Sequence, residues 1–367
     1  MCGLCMWNWQ EILKTSPIEW LLEEENPSVR YFTLLDILDK NGNDLDVEAA
    51  RSAICNSKVV SKIFSRQNAE GYWEDPASPY LPKYKSTYWQ IMLLGYLGID
   101  KEDDERVEKA CEYIFNFQLV EGGFSMYGKA AALGEYELIR KQAQRRGEKI
   151  SPKPDRKWLQ SFIIEHEYSC LTGNMVAALI RLGYIDDSRV KKALDWLVEI
   201  QNKDGGWLCP YWKAHIKDTH GCFYGTICPL EAFSKVPRKK LTKEMAQAIE
   251  RGAEFLLMHR LFRADHHGFK IIKSDWLKFG FPLFYRYDVL RGLLVMTKLG
   301  YNLSNDERLN DAVGILFQKR CPDGKWILEN TPSSRMQTNI EVRGKSSKWV
   351  TLNALRVLKY LSKDSDQ

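Results

Sequence analysis

Between positions 213 and 224 the chain reads Lys-Ala-His-Ile-Lys-Asp-Thr-His-Gly-Cys-Phe-Tyr. His220 and Cys222 stand two residues apart there, and imidazole and thiolate are both competent zinc ligands. Lys217, three residues earlier, brings a cation to the same stretch. Two carboxylates, Glu167 beside Tyr168 and Asp288 after Tyr287, lie among aromatics. Burial in such surroundings raises a carboxyl's pKa and suits it to general acid or base work. The plainer reading, that His220 and Cys222 are ordinary wall residues, stands beside the metal reading.

Internal repetition shows what must position these groups. The segment 191–207 combines Lys192-Ala193, Trp196-Leu197, Gln201 and Gly205-Gly206-Trp207. The same template fits Lys109-Ala110, Tyr113-Ile114, Gln118 and Gly122-Gly123-Phe124, and it fits Gln67 with Gly71-Tyr72-Trp73. Two further copies carry Arg260 and Arg320 in the Gln position and lead to Gly268-Phe269 and Gly324-Lys325-Trp326. From 118 to 201 the spacing is 83 residues, against 51 to 60 between the other anchors, so an insertion falls at about 125–160.

Apolar helical segments ending in a glycine alternate with the template: 88–98, 175–184 and 289–301, with Gly98, Gly183 and Gly300 at the left-handed position a helix C-cap favours. Acid-rich helix starts follow at Asp103-Asp104, Asp186-Asp187 and Asp306-Glu307. Each repeat therefore predicts one amphipathic outer helix and one nearly apolar inner helix. Inner helices are expected at 28–39, 86–98, 167–182, 219–234, 286–299 and 347–362, and outer ones at 7–24, 45–67, 104–118, 187–201, 241–260 and 305–319. The expected fold is all-α, a closed toroid of six inner and six outer helices. No run of alternating strands and no linker appears, so residues 1–367 are expected to form one domain.

Composition narrows the function. The chain has 53 Lys+Arg against 48 Asp+Glu, interspersed, which gives no footprint for nucleic acid. The 12 Trp, 17 Tyr and 15 Phe suit a large core or an apolar cavity. No stretch reaches the roughly 18 consecutive apolar residues of a membrane span. The N-terminal residues lack a basic region followed by an apolar segment, so a cytoplasmic location is expected. Nine scattered cysteines, an odd number, argue for free thiols over a disulfide framework, and the Cys2–Cys5 pair has no second pair at zinc-ribbon spacing.

The template at 192–207 resembles the repeat of the squalene cyclase and protein prenyltransferase β-subunit superfamily, whose fold is an α/α toroid. The resemblance spans nearly the whole chain. It implies that Gln67, Gln118, Gln201, Trp73, Trp207 and Trp326 brace the helices. It also gives 217–223 a counterpart: a prenyltransferase stretch in which a diphosphate-contacting Lys precedes Asp-Gly-Cys-Tyr, whose Asp and Cys bind zinc. Lys217, Gly221 and Cys222 match; His220 replaces the Asp and Phe223 the Tyr. The family's third ligand, a His, falls close to Tyr285, so zinc there would need Asp288, His266 or His267 instead.

All six inner-helix starts carry aromatics. Tyr88, Trp89, Tyr168, Tyr224, Tyr287 and Trp349 are expected either to line a central cavity or to pack its walls. Arg30, Lys217, Arg286 and Lys348 lie at or just before such starts; they would hold an anionic head group there, or else face solvent and pair with acids. The partner this implies is a long apolar small molecule, an isoprenoid diphosphate among the candidates, with Asp288 or Glu167 as acid or base for prenyl transfer or carbocation rearrangement. No Asp-x-Asp-Asp tetrad, thioester motif, P-loop or His-Glu-x-x-His is present. A non-catalytic lipid-binding or assembly protein on the same toroid is the main rival, because fold does not decide function. A glycan-acting toroid, with opposed carboxylates in an open cleft, is a third.

Overall fold

The computed structural model describes residues 15–210, 217 and 219–362. Cys2, Cys5, Lys213 and Asp218 lie outside the described residues. The helices are α1 (Ile18–Leu21), α2 (Pro27–Phe32, continued by a π turn over Thr33–Ile37), α3 (Leu45–Cys55), α4 (Lys58–Phe64), α5 (Thr87–Leu97), α6 (Glu105–Phe115), α7 (Lys129–Arg145), α8 (Arg156–Glu165), α9 (Ser169–Arg181), α10 (Ser188–Glu199), α11 (Phe223–Phe233), α12 (Lys243–Met258), α13 (Val289–Lys298), α14 (Asn310–Gln318) and α15 (Lys348–Leu361).

Apolar patterning sorts them as expected. Every residue of α5 but Tyr96 is buried, whereas α6 buries one stripe: Val107, Ala110, Cys111, Ile114 and Phe115. Asp104 and Asp187 cap α6 and α10 by accepting backbone N–H bonds from Arg106 and Arg189, satisfying donors that helix N-termini leave open. Inner helices pack side by side as α5–α9–α11–α13–α15, and α15 continues to α2 and its π turn.

The repeat residues tie inner and outer layers together by one recurring set of hydrogen bonds. Gln201 Nε2 donates to Gly205 O at 2.7 Å and to Ala248 O of the next outer helix at 2.9 Å; Gln67 and Gln118 do the same to Gly71 and Arg106, and to Gly122 and Arg189. The indole N–H groups of Trp73, Trp207 and Trp326 donate to carbonyls of the preceding outer helix, Ile63, Leu197 and Leu316. A threonine in the first turns of each following inner helix completes the set. Thr87, Thr172, Thr226 and Thr351 accept from the backbone N–H of Trp73, Phe124, Trp207 and Trp326 at 2.9–3.0 Å. Glycine is required at the turn because Gly205 has φ +87° and a Cβ there would fall 2.3 Å from Arg251 O.

The last copy shows how the ring closes. Gly324 makes the same close approach, but to Thr15 O, with Pro17 beside it. Lys348 pairs with Glu23 at 2.6 Å, and Lys325 lies 4.7 Å from the Trp20 ring. The N-terminal segment thus docks where a next outer helix would stand.

Two details differ from the sequence-based expectation. The outer element expected at 45–67 is two helices, α3 and α4, because the Ser57 side chain caps a new start at Val60 N–H. The copy at Arg260 ends in a two-stranded hairpin, β1 (Arg263–Ala264) with β2 (Lys270–Ile271), because its turn is longer. The insertion folds as the hairpin of α7 and α8, with Trp158 stacked on Phe162 and edge-on to Tyr136.

Candidate functional site

A cavity of about 910 Å³ opens at the N-terminal ends of α5, α9, α11 and α13. Trp89, Tyr168, Phe223, Tyr224 and Tyr287 reach it from the inner-helix starts; Tyr80, Trp276 and Tyr285 reach it from the loops before α5 and α13. These rings lock one another: Trp276 Nε1 donates to Tyr224 Oη at 3.2 Å, Phe223 lies 4.4 Å from Trp276, and the Tyr84 and Tyr285 hydroxyls meet at 3.1 Å. An apolar occupant would therefore meet aromatic faces that need no rearrangement to receive it.

Cations gather on the same wall. Lys83 Nζ sits 4.2 Å from the Tyr285 ring centre, Lys273 lies 5.3 Å from that of Tyr224, and Arg286 donates to Asn330 Oδ1 at 2.8 Å. The two lining carboxylates are engaged: Asp275 with Lys278 at 2.7 Å and Glu329 with Lys319 at 2.7 Å. Deeper in, Asn174 also lines the cavity and accepts from Arg291 at 3.1 Å.

Three thiols share one side. Cys170 Sγ lies 3.6 Å from Cys209 Sγ, and Cys222 hydrogen-bonds Cys209 as well. That bond, followed by burial, holds the Cys222 thiol far above its usual range. His220 is exposed, with Nδ1 3.7 Å from Asp204 Oδ2. Among the described residues no three His, Cys, Asp or Glu side chains gather as a metal site. Of the groups expected to complete such a site, His266 and His267 are exposed, and Asp288 accepts from two backbone N–H groups.

The other predicted site residues fall elsewhere. Asp288 is buried as the N-cap of α13, accepting from Gly280 N–H at 2.9 Å and Arg291 N–H at 2.8 Å. Burial pushes its carboxyl up to about 7 against the pull of those two donors. Glu167 is half-buried against Gly123, raised to about 7 by desolvation, with Oε1 lacking a hydrogen-bond partner. Neither lines the cavity. Tyr88 turns outward, its hydroxyl on Ser125 O at 2.9 Å. Arg30 donates to Leu22 O at 2.7 Å and Lys348 serves the ring closure, so both cations hold the N-terminal segment. Lys217 is exposed. Trp349 stacks on Phe281, rings 4.4 Å apart, beside a second cavity.

Tyr80, Lys83, Lys273 and Trp276 escape a reading of the sequence that looks only at helix starts. Their signal lies in the long connections 74–86 and 259–288, which carry aromatics and lysines close together.

A ring of braced helical hairpins around an aromatic cavity defines an α/α toroid. Residues 8–138 and 160–270 match the prenyltransferase alpha-alpha toroid domain, most of the chain, and the gap in that match falls on the α7–α8 insertion. The chain belongs to this family. No curated protein matches it. Among solved structures, a protein from Actinoplanes is 15% identical over 94% of this chain and 90% of its own, with TM-score 0.43. The type II terpene cyclase MstE from Scytonema, in complex with merosterolic acid A, is 16% identical over 92% and 87%, TM-score 0.47. The GH76 alpha-mannanase BT2949 from Bacteroides thetaiotaomicron is 10% identical over 92% and 85%, TM-score 0.42. The fold assignment rests on the family match. No helix among the described residues is long and apolar enough to cross a membrane.

Proposed function

We propose that this single-domain toroid binds an isoprenoid or similar long apolar molecule in the 910 Å³ cavity, with an anionic head group against Lys83, Lys273 and Arg286. The observation that carries this reading is that eight aromatic side chains, seven of them in ring contact with one another, line one cavity together with Lys83, Lys273 and Arg286. A long apolar chain gains about 0.8 kcal/mol per buried methylene, and the cations fix which end stays at the rim. Aromatic faces also stabilise positive charge on carbon, so prenyl transfer or carbocation rearrangement is the chemistry the lining suits. Of the head-group residues expected from sequence, Arg286 alone enters this proposal. Zinc does not enter it.

The rival reading, a non-catalytic binding protein, has one observation in its favour. Both lining carboxylates are paired with lysines, and Glu167 and Asp288, the carboxyls raised to about 7 by burial, do not line the cavity.

The test is native mass spectrometry and calorimetry with farnesyl and geranylgeranyl diphosphate, followed by product analysis. Binding lost in Trp276→Ala together with Arg286→Ala supports the cavity; turnover then separates enzyme from binder. If neither diphosphate nor the matching alcohols bind, the aromatic wall is packing and the proposal fails.

A further inference from the structure

The second cavity, about 360 Å³, lies between α2, α5, α13 and α15 and reaches the C-terminal ends of α9, α11 and α13. Six cations line it, Arg51, Arg181, Lys235, Arg291, Lys298 and Arg356, together with the carboxylates Asp36, Asp100 and Glu231. Arg181 and Arg291 share one carboxylate, Glu231, the latter through Nε at 2.8 Å. Arg356 Nε bonds Asp36 at 2.8 Å. Lys235 and Lys298 have no carboxylate within 4 Å among the described residues, and their side chains lie beside each other.

Cations at helix C-termini ordinarily serve the open carbonyls there. Lys359 does so, donating to Asp36 O at 2.9 Å and Ile37 O at 3.0 Å. Lys235 and Lys298 make no such bond, although they sit at the ends of α11 and α13. Two lysines brought together with no acid between them leave positive charge that water in a narrow cavity screens poorly. The nearest balancing groups, Asp36 and Glu231, are already held by arginines. Beside the lysines the cavity is apolar, with Phe281 stacked on Trp349.

We infer that this second cavity is an anion site for a phosphate-class group, inorganic phosphate or diphosphate or the phosphate end of an organic ligand, held between Lys235 and Lys298 with Arg181 and Arg356 at its sides. This site is separate from the aromatic cavity and does not depend on the isoprenoid reading. Burial, and then the neighbouring cations, Lys298 and Arg181 for Lys235 and Arg356 for Lys298, press both lysine pKa values down, so an arriving oxyanion restores the proton that these surroundings displace. Of the other charged groups lining the cavity, Arg51, Arg181, Arg291 and Arg356 carry guanidinium groups, which proteins do not deprotonate; Asp36 and Glu231 stay ionised beside their arginines, and Asp100 accepts from the Glu102 N–H. Proton uptake on binding therefore belongs to the lysines.

The experiment is calorimetry of the full chain with inorganic diphosphate and with phosphate, in two buffers of different ionisation enthalpy. Diphosphate is expected to bind with net proton uptake, and affinity to fall about tenfold or more in Lys235→Met and in Lys298→Met. Lys273→Ala with Arg286→Ala, at the rim of the aromatic cavity, is expected to leave that binding in place. Each lysine variant is expected to raise the thermal midpoint of the ligand-free protein, because it relieves the repulsion. No binding, or binding lost only in the rim variant, overturns the inference. So does a lowered midpoint in both lysine variants without loss of affinity. An organic monophosphate binding more tightly than inorganic phosphate would identify the apolar side as part of the site; equal affinity would assign the site to the free ion.

Discussion

Arg291 of α13 meets Glu231 of α11 across the barrel interior, Nε to Oε2 at 2.8 Å, and the same carboxylate also takes Arg181 of α9. Three inner helices are thereby joined at one buried charge. Arg291 further donates to Phe284 O, Arg286 O and Asn174, so it fixes the loop that carries the cavity's Tyr285 and Arg286.

Removing the shared carboxylate leaves two arginines unpaired in a low-dielectric interior. Glu231→Ala is expected to destabilise the protein by about 3–5 kcal/mol, measured by urea unfolding. The arginines hold the Glu231 carboxyl well below its ordinary range. A group depressed in this way contributes stability that is present above the unfolded carboxyl pKa and lost as pH falls through the folded one. The wild-type margin over Glu231→Ala should therefore stay level from pH 8 to 5. A difference below about 1 kcal/mol would show that the triad is not a structural tie.

Glycine positions offer a contrast between required and dispensable conformations. Gly205→Ala forces a Cβ against Arg251 O in a left-handed residue and is expected to cost about 2–4 kcal/mol. Gly314→Ala, in the middle of α14 with open space around it, should stabilise by about 0.5–1 kcal/mol. Equal shifts in thermal midpoint would refute the close approach on which the repeat turns depend.

Asp288 and Glu167 set a slope in the stability–pH curve. Both carboxyls are raised to about 7, so the folded protein binds protons more tightly than the unfolded chain. Stability is then greatest below the unfolded carboxyl pKa and declines as pH rises toward 7, by at most about 1.4 kcal/mol per pH unit for each group. Glu167 is half-exposed, so solvent weakens its share. Asp288→Asn keeps an acceptor for the Arg291 N–H and should flatten the decline between pH 5 and 7, followed by chemical unfolding at each pH. An unchanged slope in that variant would place the titration elsewhere.

The thiols report occupancy. Cys170 and Cys209 line the aromatic cavity, whereas Cys111 is fully buried, its thiol pushed up by desolvation. Alkylation mapped by peptide mass spectrometry should label the first pair, spare Cys111, and slow when farnesyl diphosphate is bound. Labelling that ignores the ligand would mean that the occupant sits elsewhere.

The repeat makes the architecture readable from the residues alone: Gln201, Gly205 and Trp207 mark a helix end, a left-handed turn and a buried anchor, and each depends on bonds within two neighbouring hairpins. Local chemistry of that kind repeats in sequence and can be recognised there. The threonines that complete the brace are not recognisable in that way, because Thr87 and Thr226 look like ordinary first-turn residues until their Trp73 and Trp207 partners, 14 and 19 positions away, are placed.

The site is legible only in part, for the same physical reason. The sequence by itself determined which residues begin inner helices, and thus that Trp89, Tyr168, Tyr224, Tyr287 and Arg286 would approach one mouth. Only the tertiary structure decided that Asp288 spends its carboxylate on Gly280 and Arg291 N–H, that Arg30 and Lys348 hold the ring closure, and that Lys235 and Lys298 meet. Periodicity fixes the face of a helix on which a side chain lies. Whether that face meets a cavity, a backbone donor or another cation depends on residues as much as 325 positions away, as for Lys348 and Glu23, and is set when the ring closes.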